Sequence, residues 1–159
     1  MPTLNTTVNR LLALLRDAPH LLAPLSGRCR SFHERWGRAA GARPPAGRWA
    51  GEWRSHASGR HGPLRCAIEV LDDRQWRATF HAGYARVFRA CYTTELSAAR
   101  KGPGWTFSGR SDLGRLGGGL YEYDGDATDH RLVARYRSRS DHGVFTLTRI
   151  TGRDASPSE

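Results

Sequence analysis

The stretch Gly47-Arg48-Trp49-Ala50-Gly51-Glu52-Trp53 decides the fold of this chain, because it has the alternation of a strand with one dry face. Successive side chains of a strand point to opposite faces, so Trp49 and Trp53 share one face while the charged residues share the other. Gly51, between the two tryptophans, lets the strand bend sharply while bulky neighbours close over it. The stretch therefore predicts the opening strand of a small barrel.

Short strand-like segments follow this stretch as far as the C-terminus. Turn residues such as Asp72-Asp73 and Gly102-Pro103-Gly104 separate them, and no helical pattern lies between them. The predicted strands are 48–55, 63–71, 75–82, 86–95, 105–110, 119–124, 131–138 and 143–150. Antiparallel strands of this kind cover their edges most simply by closing on themselves. The sequence predicts an all-β fold, an eight-stranded antiparallel up-and-down barrel preceded by N-terminal α-helices.

Two helical patterns precede the barrel. Apolar residues recur at helical spacing from Leu4 to Leu15, and Pro19 ends that pattern. Ser31-Phe32-His33-Glu34 has the S-x-x-E form of a capping box, which predicts a short helix through about Ala40. The Gly- and Pro-rich residues 41–47 predict a linker. We expect a helical N-terminal extension and linker at 1–46, a lipocalin-like β-barrel at 47–151 and a disordered tail at 152–159.

The chain is strongly basic, with 25 Lys and Arg against 15 Asp and Glu and a net charge of +10. Every basic residue but Lys101 is arginine, which is also what a GC-rich genome produces, so the charge alone does not identify a partner. The excess is greatest in the N-terminal third, which could contact an anionic surface such as nucleic acid or lipid headgroups. The arginines predicted to make that contact are Arg28, Arg30, Arg35, Arg38 and Arg43.

The cysteines and histidines show no spacing typical of a metal site. Cys29, Cys66 and Cys91 are odd in number and lack C-x-x-C spacing, so the sequence predicts neither a disulfide framework nor a zinc site. Cys66 and Cys91 lie in apolar strand patterns, where small buried thiols are common. The carboxylates around Asp124 and Asp126 fit turn chemistry rather than a Ca²⁺ loop. We expect no metal and no cofactor.

No run approaches the roughly 18 apolar residues that a membrane-spanning helix needs. No basic segment precedes the N-terminal leucines as it does in a secretory signal. Together with the unpaired cysteines, this predicts a cytoplasmic protein.

Two separated pieces of the chain resemble the lipocalin and fatty-acid-binding group of calycin barrels. They are Gly47-Arg48-Trp49 on the opening strand and Arg149 on the last strand. In that group the tryptophan sits at the closed end, and the basic residue packs over its indole. The resemblance implies that Trp49 and Arg149 close the barrel through a cation–π contact of about 1–2 kcal/mol. Gly51-x-Trp53 repeats the motif, so Trp53 could take this role instead.

Aromatic side chains are the remaining candidates for a site, because an inward-facing set would either fill an eight-stranded barrel or hold one small ligand. The short strands favour a small or largely filled cavity. The predicted ligand-binding residues are Trp53, Phe80, Phe88, Tyr92, Tyr121, Tyr123 and Tyr136.

No nucleophile elbow, P-loop or dinucleotide fingerprint occurs in the sequence. An enzyme on this barrel would need inward-pointing ionisable groups at its open end, for which the candidates are Arg89, Glu95 and His81. We interpret the chain as a non-enzymatic binding module that holds a small apolar or amphipathic ligand in a β-barrel. The alternative is a structural or interaction protein that contacts a membrane surface or polyanion through its arginine-rich N-terminal third.

Overall fold

Eight antiparallel strands closed into a barrel form most of the computed structural model, which describes residues 23–85, 88–115 and 118–152. Each strand pairs with the next one in the chain, and the last pairs with the first. The strands are β1 (Gly47–Ser55), β2 (His61–Asp72), β3 (Gln75–Tyr84), β4 (Phe88–Lys101), β5 (Gly104–Asp112), β6 (Leu120–Ala127), β7 (Arg131–Arg137) and β8 (His142–Ile150). The predicted calycin-like up-and-down barrel is confirmed.

The opening strand β1 forms the seam at which the barrel closes, since it pairs with β2 on one side and β8 on the other. Gly51 lies opposite Leu147 of β8, and a Cβ atom at this position would overlap the backbone carbonyl oxygen of Thr146. Only a residue without a side chain permits this close approach of two strands. The glycine between the two tryptophans is therefore a requirement of closure.

A single helix among the described residues, α1 (Ala23–Arg38), precedes the barrel. It begins before the predicted capping box, so the helix start predicted at Ser31 is wrong. Pro24 lies in the first turn, where its missing N–H costs no hydrogen bond, and Ser31 accepts a bond from Arg35 Nε at 3.5 Å within the helix. The predicted helix at Leu4–Leu15 and most of the predicted tail lie outside the described residues.

Helix α1 covers the outer face of β2, β3 and β4. Phe32, Trp36 and Ala39 are buried in a second apolar cluster with Ala67 and Cys91 of the barrel wall. In the part of the chain that the structure describes, no helix is long and apolar enough to span a membrane. The division between an extension at 1–46 and a barrel at 47–151 stays a prediction, but α1 shares a core with the barrel.

Charged residues add contacts between α1 and the barrel. Arg35 forms an ion pair with Glu69 of β2. Arg48 of β1 donates from Nε to the Trp36 carbonyl at 2.7 Å and places its guanidinium 5.4 Å from the centre of the Trp36 ring. These contacts hold the end of α1 against the strands that it covers.

A disulfide joins Cys29 of α1 to Cys91 of β4, so the prediction that the cysteines form no disulfide is wrong. The two residues are 62 positions apart in sequence, and α1 brings them within 5.2 Å at their Cα atoms. Cys91 points out of the barrel toward the helix, which a strand pattern alone cannot reveal. Cys66 is a free thiol buried in the barrel core, as predicted. The disulfide removes the cysteine argument for a cytoplasmic setting, which remains a prediction.

Candidate functional site at the tyrosine end of the barrel

The two ends of the barrel interior differ in chemistry. Near the start of β1 the interior is apolar, with Trp49 fully buried and Trp76 packed 6.1 Å from Trp105 and 5.7 Å from Phe107 between ring centroids. Tyrosines from three strands converge at the other end. We call this the tyrosine end and define it by Tyr92 of β4, Tyr121 and Tyr123 of β6, and Tyr136 of β7.

The rings at the tyrosine end form a connected stack. Phe80 of β3 lies 5.0 Å from Tyr92 and 6.5 Å from Tyr123 between centroids. Tyr121 lies 6.4 Å from Tyr123 and 6.0 Å from Tyr136. The register explains the convergence, because Tyr92 faces Phe80 and Tyr136 faces Tyr123 across neighbouring strands. The structure thus brings together five of the residues predicted to bind a ligand.

The other two predicted ligand residues are placed differently. Trp53 lies at the margin of the core, with its ring 6.1 Å from Tyr84 and its Nε1 donating to the Gly83 carbonyl at 2.9 Å. Phe88 begins β4 opposite Tyr84, and its side chain lies outside the described part of the molecule. Ligand binding by these residues stays a prediction.

A carboxylate at the rim organises the polar groups beside this stack. Asp141 accepts from Ser55 Oγ at 2.5 Å on one oxygen and from Tyr136 Oη at 3.2 Å on the other. Ser58 Oγ donates in turn to Ser55 Oγ at 2.9 Å. Burial, together with the nearby Asp141 charge, raises the pKa of Tyr136, so its hydroxyl stays protonated and donating. The sequence indicated only a turn at Asp141, and nothing in its spacing pointed to Ser55 of β1.

Two buried hydroxyls at the tyrosine end lie beside each other and lack a hydrogen bond of ordinary geometry. Tyr123 Oη and Ser111 Oγ are inaccessible to solvent and make no hydrogen bond of ordinary geometry. Burial raises the pKa of Tyr123 to about 12, so this hydroxyl is neutral. A buried polar group left unsatisfied costs about 1–3 kcal/mol. In a native fold such groups mark a place where water or a ligand atom supplies the missing partner.

The barrel interior is almost filled by its own side chains. The void at its centre has a volume of about 10 Å³ and is lined by apolar residues that include Phe80, Tyr123 and Phe145. A single water needs about 10–15 Å³, so this void, lined by described residues, has no room for a further molecule unless a side chain moves. The prediction of a small or largely filled cavity is confirmed.

A larger groove of about 250 Å³ lies on the outside of the barrel beside β7 and β8. Its charges are largely paired: Arg135 Nε lies 2.9 Å from Asp124 Oδ2, and Arg137 Nε lies 2.8 Å from Glu122 Oε2. The hydrogen bond from Arg137 lowers the pKa of Glu122. An anion in this groove would have to compete with carboxylates already in place.

The residues predicted to close the barrel lie at the end opposite the tyrosines. Trp49 and Arg149 are direct partners in the pairing of β1 with β8. Among the described residues the cation–π contacts join other pairs, such as Arg48 and Arg65 with Trp36, and not Arg149 with Trp49. The Arg149 guanidinium instead donates to carbonyls of the segment before β1. The cation–π contact that the resemblance implied is therefore absent among the described residues, whereas closure of the barrel by Trp49 and Arg149 stays a prediction.

Three residues considered as catalytic do not face the interior. Glu95 and Arg89 are exposed on the outer face of β4. His81 lies on the outer face of β3 beneath α1, with its ring 5.1 Å from Phe32. Burial, and then the charge of Arg65, lower the pKa of His81. The idea that these residues cluster at the open end is wrong, because the alternation of the strands turns all three outward.

The arginines predicted to contact an anionic surface are divided between two roles. Arg35 is turned toward Glu69, and the exposed Arg38 also lies 3.9 Å from that carboxylate, whereas Arg30 and Arg43 are exposed. The side chain of Arg28 lies outside the described part of α1. An anionic partner stays a prediction.

The fold defines a calycin-like up-and-down β-barrel with a nearly filled interior. No protein-family model matches the chain, and no curated protein matches it. Among solved structures it is similar to the crystal structure of an N57A mutant of the fluorescent protein UnaG, at 14% sequence identity and a TM-score of 0.39. The match covers 68% of this chain and 97% of that one. At this distance the similarity says nothing about what the present chain binds.

Proposed function

We propose that this chain is a non-enzymatic binding module that holds a small amphipathic ligand at the tyrosine end of the barrel. The observation that supports the proposal is the stack of aromatic rings around two buried hydroxyls that make no hydrogen bond of ordinary geometry, Tyr123 Oη and Ser111 Oγ. A ligand with an aromatic or apolar body would stack on the rings, and one polar atom of it would satisfy the hydroxyls.

The filled interior limits the size and the route of this ligand. Since the void is only about 10 Å³, a bound molecule has to take the place of a side chain. Tyr121 is the candidate for displacement, because it is only partly buried and lies at the mouth, in contact with Tyr123 and Tyr136. The ligand is therefore about as large as one phenol ring, with a single hydrogen-bonding group.

Titration of the full chain with para-substituted phenols and benzoates, followed by NMR of the backbone amides, tests this function. We expect saturable shifts at Ser111, Tyr121, Tyr123 and Tyr136. A combined Ser111→Ala and Tyr123→Phe variant should weaken binding at least tenfold, whereas Trp105→Phe at the opposite end should not change it. Shifts that never saturate at millimolar probe, or that are confined to the outer groove beside Arg135, would rule the proposal out.

A second candidate function is contact with an anionic surface, which the exposure of Arg30, Arg38 and Arg43 favours. Binding to vesicles that contain anionic lipid should then fall steeply as salt rises, because the contacts release counterions or are screened. Arg38→Glu with Arg43→Glu should abolish the binding, and Arg110→Glu on β5 should leave it intact. No binding at low salt would exclude this candidate.

A further inference from the structure

Three metal-ligating side chains meet where α1 crosses the barrel wall, away from the tyrosine end. Cys29 comes from α1, and His81 and Cys91 are direct partners in the pairing of β3 with β4. Their ligand atoms, two sulfurs and an imidazole nitrogen, all lie within 4.8 Å of one another. Each residue comes from a different element, so the cluster exists only in the folded chain.

The geometry suits a tetrahedral metal ion. In a zinc site with Zn–S distances of about 2.3 Å and Zn–N distances of about 2.0–2.1 Å, neighbouring ligand atoms lie about 3.5–3.8 Å apart. The imidazole nitrogen already lies within 4.8 Å of both sulfurs, and the sulfurs, which are bonded to each other in the disulfide, have to separate to about 3.8 Å once it is reduced. Phe32 packs 5.1 Å from the His81 ring and keeps the imidazole beside the two sulfurs.

A tetrahedral site needs a fourth ligand in addition to these three. His33 follows Cys29 by one turn of α1, is exposed, and has its ring 6.1 Å from that of His81. Cysteine and histidine four residues apart lie on the same helix face. A water molecule or His33 can therefore complete the tetrahedron.

We propose that in the reduced chain Cys29, His81 and Cys91 form a zinc-binding site, which replaces the Cys29–Cys91 disulfide as the link between α1 and the barrel. The two states exclude each other, because only thiolates bind zinc and the disulfide contains none. Two thiolates also neutralise one Zn²⁺ ion, so the site adds no net charge to a region that contains Arg65 and Arg89.

The disulfide state and the zinc-bound state interconvert in two steps, reduction of the disulfide and binding of the metal. A dithiol reductant gives two electrons and two protons to the disulfide; the reductant becomes a disulfide and the protein gains two thiols. Zinc binding then releases the two thiol protons as the thiolates coordinate the metal. Oxidation by a disulfide reverses the sequence and expels the ion.

Metal titration of the full chain tests the proposal. The chain is reduced with a phosphine, which becomes a phosphine oxide by taking oxygen from water, and is then desalted without oxygen. Co²⁺ should produce ligand-field and sulfur-to-cobalt charge-transfer absorption, and one equivalent of Zn²⁺ should remove it. The oxidised chain should bind neither ion. Bound zinc should also protect Cys29 and Cys91 of the folded chain from alkylation, compared with the same protein treated with a chelator. Alkylation of the unfolded chain, which modifies all three cysteines, gives the reference count.

Variants assign the ligands. His81→Ala and Cys91→Ser should each weaken zinc binding at least tenfold, with circular dichroism confirming that the barrel is folded. Cys66→Ala and His56→Ala, outside the cluster, should stay within twofold of the parent chain. Three results would each overturn the proposal: no zinc binding by the reduced chain at micromolar metal, equal binding by the oxidised chain, or an unchanged affinity in His81→Ala.

Discussion

Trp49 and Arg149 face each other across the seam of the barrel, and both donate hydrogen bonds to the short segment that joins α1 to β1. Trp49 Nε1 donates to the Pro45 carbonyl at 3.1 Å. Arg149 Nη2 donates to the carbonyls of Ala42 and Ala46, the second at 3.4 Å. The first and last strands are therefore tied to one another through a third segment as well as through their own pairing.

Removal of either donor should release this segment, so the two substitutions should not be additive. Arg149→Met removes charged donors and should cost about 1.5–3 kcal/mol of unfolding free energy. Trp49→Phe removes the indole N–H and some core volume, at a cost of about 1–3 kcal/mol. The double variant should cost at least about 0.5 kcal/mol less than the sum, as measured by urea unfolding. Strict additivity would show that the two side chains act independently.

Two glycines should respond in opposite directions to replacement by alanine. Gly51→Ala places a methyl group against the Thr146 carbonyl and forces β1 away from β8, so it should cost about 3 kcal/mol or more. Gly37→Ala meets nothing within 4 Å inside α1 and should stabilise the chain by about 0.5–1 kcal/mol. Thermal unfolding of both variants checks the pair. Equal effects would mean that the seam is not the tight contact described here.

The alternation of residues was enough to predict the barrel, because each strand has a dry face and turn residues mark its ends. The largest difference in length is in β4, which continues to Lys101 although its predicted end was residue 95. Thr94, Leu96 and Ala98 continue the inward face there. Small and polar residues in this part of β4 weaken the alternation of apolar and polar side chains, so the sequence does not predict the full length of the strand.

The relationships that alternation could not predict are those between distant segments. Cys91 belongs to an apolar strand pattern, yet it faces α1 because the helix covers the outside of β4. His81 lies on that same face for the same reason. The sequence predicts which tyrosines gather at the tyrosine end. It does not predict the hydrogen-bond partners of Asp141, because they depend on how the β7–β8 turn packs against the end of β1.

The Cys29–Cys91 disulfide should contribute strongly to stability, because it closes a loop with a sequence separation of 62 residues. A chain-entropy estimate for a loop of this length is about 4 kcal/mol. Guanidinium unfolding of the oxidised chain should therefore have a higher midpoint than that of the reduced chain with a chelator present. Cys66→Ala should shift both midpoints equally, since Cys66 is not part of the bridge. Coincident midpoints for the two redox states would contradict the role of the disulfide.

Two tyrosines in the same stack should differ when the hydroxyl is removed. Tyr136→Phe loses the bond to the Asp141 carboxylate and should cost about 1.5–3 kcal/mol at neutral pH. Tyr123→Phe removes a buried hydroxyl that makes no hydrogen bond of ordinary geometry and should be neutral or stabilising. Urea unfolding at pH 7 checks the contrast, and equal losses would mean that Tyr123 Oη has a partner.

The same two residues should make the fold sensitive to alkali. Burial raises the pKa of Tyr123 to about 12 and also raises that of Tyr136, so the folded chain holds these protons more tightly than the unfolded chain. Their contribution is fully present below the unfolded-state pKa of about 10 and is lost as the pH rises from there toward the folded-state values. Unfolding free energy measured between pH 8 and about pH 11 should fall less steeply in Tyr123→Phe than in the parent chain. A slope unchanged by this substitution would show that Tyr123 ionises as readily in the barrel as in the unfolded chain.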